Sequence, residues 1–189
     1  MPDAGRVIAG SARGIRLRAP GEGTRPLSDR VKQTLFAILE PDLPDSRFLD
    51  LFAGSGAAGI EALSRGARAA TFVEKDATAA GVIEANLKAT HLEGDIIRAD
   101  AESWLGRAGI GPFDIVVVDP PYAETALLGR VLERLGPASG PLNPGARVVA
   151  KHFWRDRPPE RVGMLAAERD RRFGETALTF YRREEAQSE

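Results

Sequence analysis

The sequence feature that most constrains the fold is a run of branched apolar residues, 115–118, that stops at Asp119-Pro120-Pro121-Tyr122. An unbroken apolar run of this kind is typical of a strand buried on both faces, as in the middle of a parallel sheet. Because a proline has no N–H group to donate to a neighbouring strand, the strand must end at Asp119. Ligands of open α/β sheets bind beyond the carboxyl ends of such strands, so these four residues form a candidate site.

Strand and helix patterns alternate along the chain from residue 47 onward. Helical patterns separate the short apolar runs typical of strands, which cover residues 48–52, 69–73, 96–97, 113–118 and 147–150. This alternation predicts right-handed βαβ units, and hence an α/β fold with a mainly parallel sheet. In the tail, strand patterns at residues 164–169 and 176–181 flank Gly174, which predicts a closing hairpin and an antiparallel C-terminal strand.

The N-terminal region is basic and precedes this alternation. Residues 1–32 hold seven Lys or Arg against three Asp or Glu, in a chain whose net charge is −1. Residues 6–9 and 15–18 fit the two strands of a β-hairpin, and the second strand alternates apolar residues with arginines. One face of the hairpin is therefore expected to be cationic, which suits a polyanionic partner. We predict a β-hairpin extension over residues 1–26 and a main domain over residues 27–189.

The composition argues against several kinds of site. The chain has no Cys and only two His, so disulfides and thiolate metal sites are excluded and we expect no bound metal. The first residues lack the apolar core of a signal peptide, and no stretch approaches the ~18 apolar residues that cross a bilayer. We expect a soluble, cytoplasmic protein that does not contact a membrane.

A glycine-rich turn follows the strand at residues 48–52. Gly54, Gly56 and Gly59 satisfy the G-x-G-x-x-G pattern at a strand-to-helix turn, and Glu74 ends the next strand 20 residues after Gly54. Glycines let a ligand approach the backbone closely, and an acid at this distance can bind ribose hydroxyls. The pattern therefore predicts a cofactor that contains a nucleoside.

Two cofactors fit this turn, a dinucleotide and S-adenosylmethionine. A dinucleotide places its pyrophosphate on the helix N-terminus, whereas S-adenosylmethionine has no phosphate. The latter is favoured because Asp50 can meet its ammonium group, Asp100 can bond the adenine amine, and dinucleotide chemistry does not require Asp119-Pro120-Pro121-Tyr122. The predicted cofactor-binding residues at and around these positions are Asp50, Ala53, Gly54, Ser55, Gly56, Glu74, Lys75, Asp100 and Ala101.

The segment from Asp119 to Tyr122 suits methyl transfer to an amine. An exocyclic purine amine is a poor nucleophile, because the ring delocalises its lone pair. The Asp119 carboxylate and the Pro120 carbonyl, fixed by the Pro120-Pro121 step, can accept its N–H groups and aim that lone pair. Tyr122 can stack on the base, a contact worth ~1–3 kcal/mol. Catalysis would then be mainly orientation.

These motifs resemble those of class I S-adenosylmethionine-dependent methyltransferases that act on amino groups, a pattern shared by DNA adenine-N6, RNA guanine-N2 and protein glutamine methyltransferases. The segment Thr24-Arg25-Pro26-Leu27-Ser28-Asp29-Arg30-Val31 is similar to the RsmD family of RNA methyltransferases. Ile8-Ala9-Gly10 and Arg13-Gly14 before it, and residues 173–178 in the tail, are similar to the same family. In place of an acid that is common in the family, this chain has Lys151-His152.

The resemblance implies a Rossmann-like class I fold, with a mainly parallel seven-stranded sheet and helices on both faces. It implies methylation of the N2 amine of a guanine, guanine 966, in 16S ribosomal RNA by a monomer, within a small-subunit particle or an assembly intermediate, with S-adenosylhomocysteine as the second product. It also implies that residues 24–30 close over the cofactor, which makes Arg25 a cofactor-binding residue. We expect the RNA backbone to contact Arg6, Arg13, Arg16, Arg18 and Arg30, and Lys151 and Arg155 to extend this basic surface.

Three other functions stay open on the sequence. A DNA adenine-N6 methyltransferase would share the motifs, although no separate target-recognition domain is evident. A dinucleotide-dependent oxidoreductase would share the glycine turn. A non-catalytic RNA-binding module would share the basic hairpin, although it would not need Asp119-Pro120-Pro121-Tyr122.

Overall fold

A computed structural model of the chain describes residues 2–21 and 27–185. These residues form ten strands, five α-helices and one 3-10 helix, and the chain divides into two compact units, Met1–Asp100 and Ala101–Glu189. None of the helices in the described part of the chain is long and apolar enough to cross a membrane.

The first unit begins with a hairpin and continues as alternating helices and strands. In chain order its elements are β1 (Asp3–Arg6), β2 (Arg16–Arg18), α1 (Asp29–Leu39), a 3-10 helix (Glu40–Asp42), β3 (Arg47–Leu51), α2 (Ala57–Ser64), β4 (Ala69–Glu74), α3 (Ala77–Thr90) and β5 (Asp95–Arg98). Three strands form parallel pairs in the order β5–β4–β3, as the βαβ pattern predicts.

Local sequence signals fix the helices of this unit. Ser28 caps α1 by accepting a hydrogen bond from the Val31 N–H at 3.3 Å, and Asp76 caps α3 by accepting one from the Ala79 N–H at 2.8 Å. The apolar stripe of α1 is buried, with Leu35 and Leu39 fully inaccessible. Such a stripe holds a helix against a core, as its 3.6-residue spacing predicts.

The N-terminal hairpin differs in its strands from the prediction, because its loop binds α2. The first strand, predicted at residues 6–9, ends at Arg6. The Val7 N–H still donates to the Ile15 carbonyl at 2.9 Å, but the following two N–H groups are taken by the fully buried Glu61 of α2. The Glu61 carboxylate accepts from Ile8 at 2.8 Å and from Ala9 at 3.0 Å. The Ser64 hydroxyl also accepts from the Ala12 N–H at 2.9 Å. Polar contacts with these buried side chains therefore hold the hairpin loop to α2.

The second unit contains the strand that Asp119 follows. Its elements are α4 (Ala101–Leu105), β6 (Phe113–Val118), α5 (Thr125–Leu135), β7 (Leu142–Phe153), β8 (Arg161–Val162), β9 (Leu165–Phe173) and β10 (Thr176–Arg183). Its strands are ordered β6–β7–β10–β9–β8, with β6 and β7 parallel and the other pairs antiparallel.

The predicted antiparallel C-terminal strand is confirmed as β10, which pairs with both β7 and β9. Apart from the N-terminal hairpin, the described residues of the two units form eight strands, one more than the seven predicted. The additional strand is the two-residue β8, which is too short to give a pattern in the sequence. β7 is also longer than expected, since it begins at Leu142 and continues to Phe153.

Candidate active site

The glycine turn is built by backbone conformation and close packing. Gly54 and Gly56 have φ angles of +56° and +76°, which favour glycine, and Gly56 is the N-cap of α2. A Cβ on Gly59 would lie 2.3 Å from a ring atom of Phe72 on β4, so only glycine lets α2 pack this closely. The first two glycines shape the turn, and the third brings helix and strand together.

Glu74 binds the turn directly. One of its carboxylate oxygens accepts a hydrogen bond from the Gly54 N–H at 2.9 Å, and the other accepts one from the Asp76 N–H at 2.9 Å. Each carboxylate oxygen can accept a second hydrogen bond. Glu74 can therefore hold the turn and still accept hydroxyl groups of a ligand.

Asp50 lies under the same turn and is almost fully buried, at 3% exposure. Its carboxylate accepts a hydrogen bond from the Gly59 N–H at 2.9 Å, in the first turn of α2. An acid at a helix N-terminus satisfies a free donor there and is favoured by the helix dipole. Ala53 and Ser55, between Asp50 and α2, are each 8% exposed.

Asn86 of α3 links this turn to the N-terminal hairpin, a contact that sequence reasoning missed. Its Nδ2 donates to the Ser55 carbonyl and to the Arg18 carbonyl, both at 2.9 Å, and its Oδ1 accepts from the Arg18 N–H at 2.9 Å. The only available signal was a polar residue on an otherwise buried face of a helix. The hairpin and the glycine turn thus share one buried side chain.

The remaining predicted cofactor residues lie at element ends or outside the described residues. Lys75 is exposed directly after β4, and Asp100 is exposed two residues after β5. Ala101 is buried and begins α4, three residues before the buried Trp104. Arg25 falls within residues 22–26, which lie outside the described part of the chain.

Asp119 follows β6 and is paired with Lys151 of β7. The Lys151 ammonium donates to both carboxylate oxygens, at 2.7 and 2.9 Å. The Lys151 side chain is only 10% exposed, and the Asp119 side chain is 22% exposed. Burial raises the pKa of Asp119 above its usual value, and the charge and hydrogen bonds of Lys151 act against that rise. Lys151 therefore favours the ionised, hydrogen-bond-accepting form of this acid.

The pairing corrects the expectation that Lys151 extends a basic surface. Val118 of β6 lies opposite Ala150 of β7, so the next residue of each strand, Asp119 and Lys151, can meet. Lys151 is only 8% exposed and cannot belong to an RNA-binding surface. Only the register between two strands reveals this pair, and a single sequence does not contain that register.

Tyr122 is the one large hydrophobic side chain of the described residues that is exposed, at 39%. Its hydroxyl forms a hydrogen bond of 2.8 Å with the Thr176 hydroxyl of β10. The Lys151 ammonium lies 5.3 Å from the centre of its ring, within the range of a cation–π interaction. Pro120 is buried, and Pro121 is exposed. The segment therefore presents a carboxylate, a rigid turn and an oriented aromatic ring.

The cationic face predicted for the hairpin is present. Leu17 is 2% exposed, whereas its neighbours in β2 point to solvent. All five predicted RNA-binding arginines are exposed: Arg6, Arg13, Arg16, Arg18 and Arg30. Two of them form surface ion pairs, Arg16 with Asp3 at 2.6 Å and Arg6 with Asp29 at 3.5 Å.

Lys32 does not belong to this face, although it contributes to the positive charge counted in the sequence. It is fully buried in α1, where its ammonium donates to the Arg6 carbonyl and burial lowers its pKa.

A cavity of about 170 Å³ opens on the hairpin. It is lined by Arg6, Val7, Ile8, Arg13, Gly14 and Gln33.

The chain is similar to several known proteins. A family model described as conserved hypothetical protein 95 matches residues 5–182. A Bacillus subtilis protein named "Putative rRNA methyltransferase YlbH" is 38% identical over 183 residues, which cover 94% of this chain and 98% of the relative. The "Ribosomal RNA small subunit methyltransferase D" of Escherichia coli K12 is 37% identical over 182 residues, which cover 95% of this chain and 90% of the relative.

A solved structure from Escherichia coli has the same fold as this chain over almost the whole length of both chains. It is described as "Putative methyltransferase yhhF from Escherichia coli" and matches with a TM-score of 0.86 at 33% sequence identity. The match covers 95% of this chain and 97% of that chain.

Proposed function

Because this chain belongs to the RsmD family, whose model is described as conserved hypothetical protein 95, we propose that it methylates small-subunit ribosomal RNA. Its fold is the Rossmann-like fold of class I methyltransferases, as the sequence predicts. The proposed acceptor is the exocyclic N2 amine of a guanine, guanine 966 of 16S RNA, and the proposed methyl donor is S-adenosylmethionine.

The observation that carries the choice of an amine is the position of Asp119 and its pairing with Lys151. Its carboxylate is positioned directly after β6 and held by an ammonium group that favours its ionised form. An ionised carboxylate accepts hydrogen bonds and cannot donate them, which suits the two N–H groups of an exocyclic amine. The Pro120 carbonyl supplies the second acceptor in this proposal, and Tyr122 supplies a ring for stacking on the base.

The residues of the glycine turn fit S-adenosylmethionine. A Cβ built on Gly54 meets nothing closer than 4.0 Å, so the backbone there is open to a ligand. Glu74 keeps acceptor capacity for ribose hydroxyls, since each of its oxygens accepts one backbone N–H. The other residues that we propose for the cofactor are Asp50, Ala53, Ser55, Gly56, Lys75, Asp100, Ala101 and Arg25.

When bound, S-adenosylmethionine supplies an electrophilic methyl group and leaves as S-adenosylhomocysteine. The chain's own contribution is orientation: Asp119 and the Pro120 carbonyl accept the amine N–H groups and direct its lone pair away from the ring. The amine loses one proton to water after the nitrogen–carbon bond has formed, because an alkylated ammonium of this kind is strongly acidic. No residue is required to remove a proton beforehand.

The RNA side of the proposal rests on the hairpin. Four of its arginines, Arg6, Arg13, Arg16 and Arg18, are exposed, as is Arg30 in α1. Exposed arginines are suited to phosphate contacts, which position a nucleic acid without reading its sequence. A monomer with so small a basic surface is proposed to recognise the shape of a small-subunit particle or assembly intermediate in the cytoplasm. The hairpin, residues 1–26, is thereby proposed as the RNA-binding extension and residues 27–189 as the methyltransferase domain.

Mapping the modified nucleotide tests this function. Small-subunit RNA from cells that lack the protein should be unmethylated at one guanine N2, and the wild-type gene should restore that methyl group. Purified protein and labelled S-adenosylmethionine should label small-subunit particles or their RNA, and duplex DNA should stay unlabelled. Label on adenine in DNA, or a full set of guanine modifications without the protein, would refute the proposal.

A further inference from the structure

The side chain of Lys151 contacts both functional side chains of Asp119-Pro120-Pro121-Tyr122, which we call the acceptor segment. It is the partner of Asp119 through both carboxylate oxygens, and its ammonium also lies 5.3 Å from the centre of the Tyr122 ring. One cation therefore contacts the two side chains of the motif that carry its proposed chemistry. Because Lys151 lies in the middle of a sheet, with β6 and β10 on either side of β7, its backbone is fixed.

The position of the ammonium leaves Asp119 able to bind a second partner. A carboxylate has about four lone-pair positions, and Lys151 occupies one on each oxygen. The acid is also 22% exposed, so the remaining positions can be reached from solvent. The pair is thus unlike a closed structural ion pair, in which the partners saturate each other and are inaccessible.

The aromatic ring is restrained at both ends. Its hydroxyl is bonded to the Thr176 hydroxyl, and its ring lies near the Lys151 ammonium. Thr176 lies opposite Phe153 in the register of β10 with β7, so both restraints come from the same pair of strands. A ring held in this way keeps one orientation for stacking and loses little entropy when a base binds.

We propose that Lys151 is a positioning residue for methyl transfer, which holds the Asp119 carboxylate ionised and aimed at the amine and fixes the Tyr122 ring beside it. This inference rests on the proposed function, since it assigns a role within that site. Lys151 itself need not contact the RNA or the methyl donor. Its effect passes through the acid and the ring.

Electrostatics gives this role a signature in pH. Burial raises the pKa of Asp119, and Lys151 opposes the rise. Without the ammonium the acid should titrate at a higher pH. If activity requires ionised Asp119, the acidic limb of the rate profile moves to higher pH by the same amount as the pKa of that acid. At a pH below the acidic limbs of both the wild type and the variant, each unit of that shift lowers the rate tenfold. A lysine that only stabilised the fold would lower the rate equally at every pH.

The test compares Lys151→Met, which keeps the stem and removes the charge, with Lys151→Arg, which keeps the charge. Lys88→Met, at an exposed position of α3, is the matched control. We expect Lys151→Met to move the acidic limb of the single-turnover rate upward by at least one pH unit, while its dissociation constant for S-adenosylmethionine changes less than twofold. Lys151→Arg should keep the limb near its original pH, and Lys88→Met should match the wild type.

A second measurement does not depend on activity. Carbon-13 NMR of the labelled Asp119 carboxylate in the cofactor-free protein should show its titration moving to higher pH in Lys151→Met and staying in place in Lys88→Met. An unmoved Asp119 titration, or a uniform loss of rate at every pH, would overturn the inference. If Lys151→Met does not fold, Lys151→Gln removes the charge and keeps a donor. If the wild type methylates no RNA, the proposed function fails, and the NMR titration still decides whether Lys151 controls Asp119.

Discussion

The glycine turn and the acceptor segment both depend on buried or half-buried carboxylates, but their partners differ in kind. Glu74 and Asp50 accept hydrogen bonds from backbone N–H groups of the turn they support, 20 and 9 residues away in the sequence. Asp119 is held by the side chain of Lys151, 32 residues away. The first region is fixed by its own backbone, and the second is fixed by a pair of charges.

This difference decides how each region responds to change. A backbone donor has no ionisable proton, so the glycine turn should keep its shape wherever its carboxylates are ionised. The acceptor segment depends on the balance between the burial of Asp119 and the charge of Lys151, which oppose each other in setting the pKa of that acid. We therefore expect the acceptor side to set the pH dependence of the reaction.

The largest effect is expected from Asp119→Ala, which removes the proposed acceptor. Single-turnover methyl transfer should fall by about 10³-fold or more, because orientation and hydrogen bonding supply most of the proposed catalysis. Titration calorimetry should give a dissociation constant for S-adenosylmethionine within about twofold of the wild type, since the turn is fixed independently.

The control for this experiment is Asp114→Ala, which removes an acid from β6, the strand that Asp119 follows. Asp114 accepts a hydrogen bond from the Asn143 side chain at 2.7 Å and lies five residues before Asp119. It should retain most of the activity. Full activity in Asp119→Ala would remove the acid from the mechanism, and equal losses in both variants would point to damage of β6.

Glu74→Ala is expected to have a smaller effect, which lowers the affinity for S-adenosylmethionine and not the rate of turnover. The variant loses two hydrogen bonds to Gly54 and Asp76 together with the proposed ribose contacts. Charge-assisted hydrogen bonds of this kind contribute ~1.5–3 kcal/mol, so affinity for S-adenosylmethionine should fall by about 10- to 100-fold. Glu84→Ala, at an exposed position of α3, is the control, and unchanged cofactor affinity in Glu74→Ala would contradict the assignment.

The same contrast explains how much the sequence could predict. The glycine turn could be predicted from the sequence because its determinants are local. They are glycines at positions where φ is positive and an acid at the end of the next strand. Alternating strands and helices likewise predicted the α/β fold. Lys151 was misplaced on the surface, because its position beside Asp119 depends on the register of β6 with β7. Asn86 was missed for a similar reason, since its partners Ser55 and Arg18 are 31 and 68 residues away.

The smallest effect is expected from changes in the basic hairpin, whose exposed arginines lie in neither the glycine turn nor the acceptor segment. Replacing Arg13, Arg16 and Arg18 together by Ala should weaken RNA binding and leave the pH profile of turnover unchanged. If each contacts one phosphate of single-stranded RNA, the slope of log affinity against log salt should become shallower by about 2, or ~0.7 per lost contact.

The matched control replaces three other exposed cations of the first unit, Arg68, Lys88 and Arg98, by Ala, so that the net charge changes equally. If the hairpin contacts the RNA, only the hairpin variant alters the salt slope. If the chain attracts RNA through net charge alone, both variants alter it by the same amount, and the hairpin loses its assigned role. If the hairpin variant also moved the acidic limb of the rate profile to another pH, RNA binding at the hairpin would affect the titration of Asp119. The pH dependence of the reaction would then not be set by the acceptor segment alone.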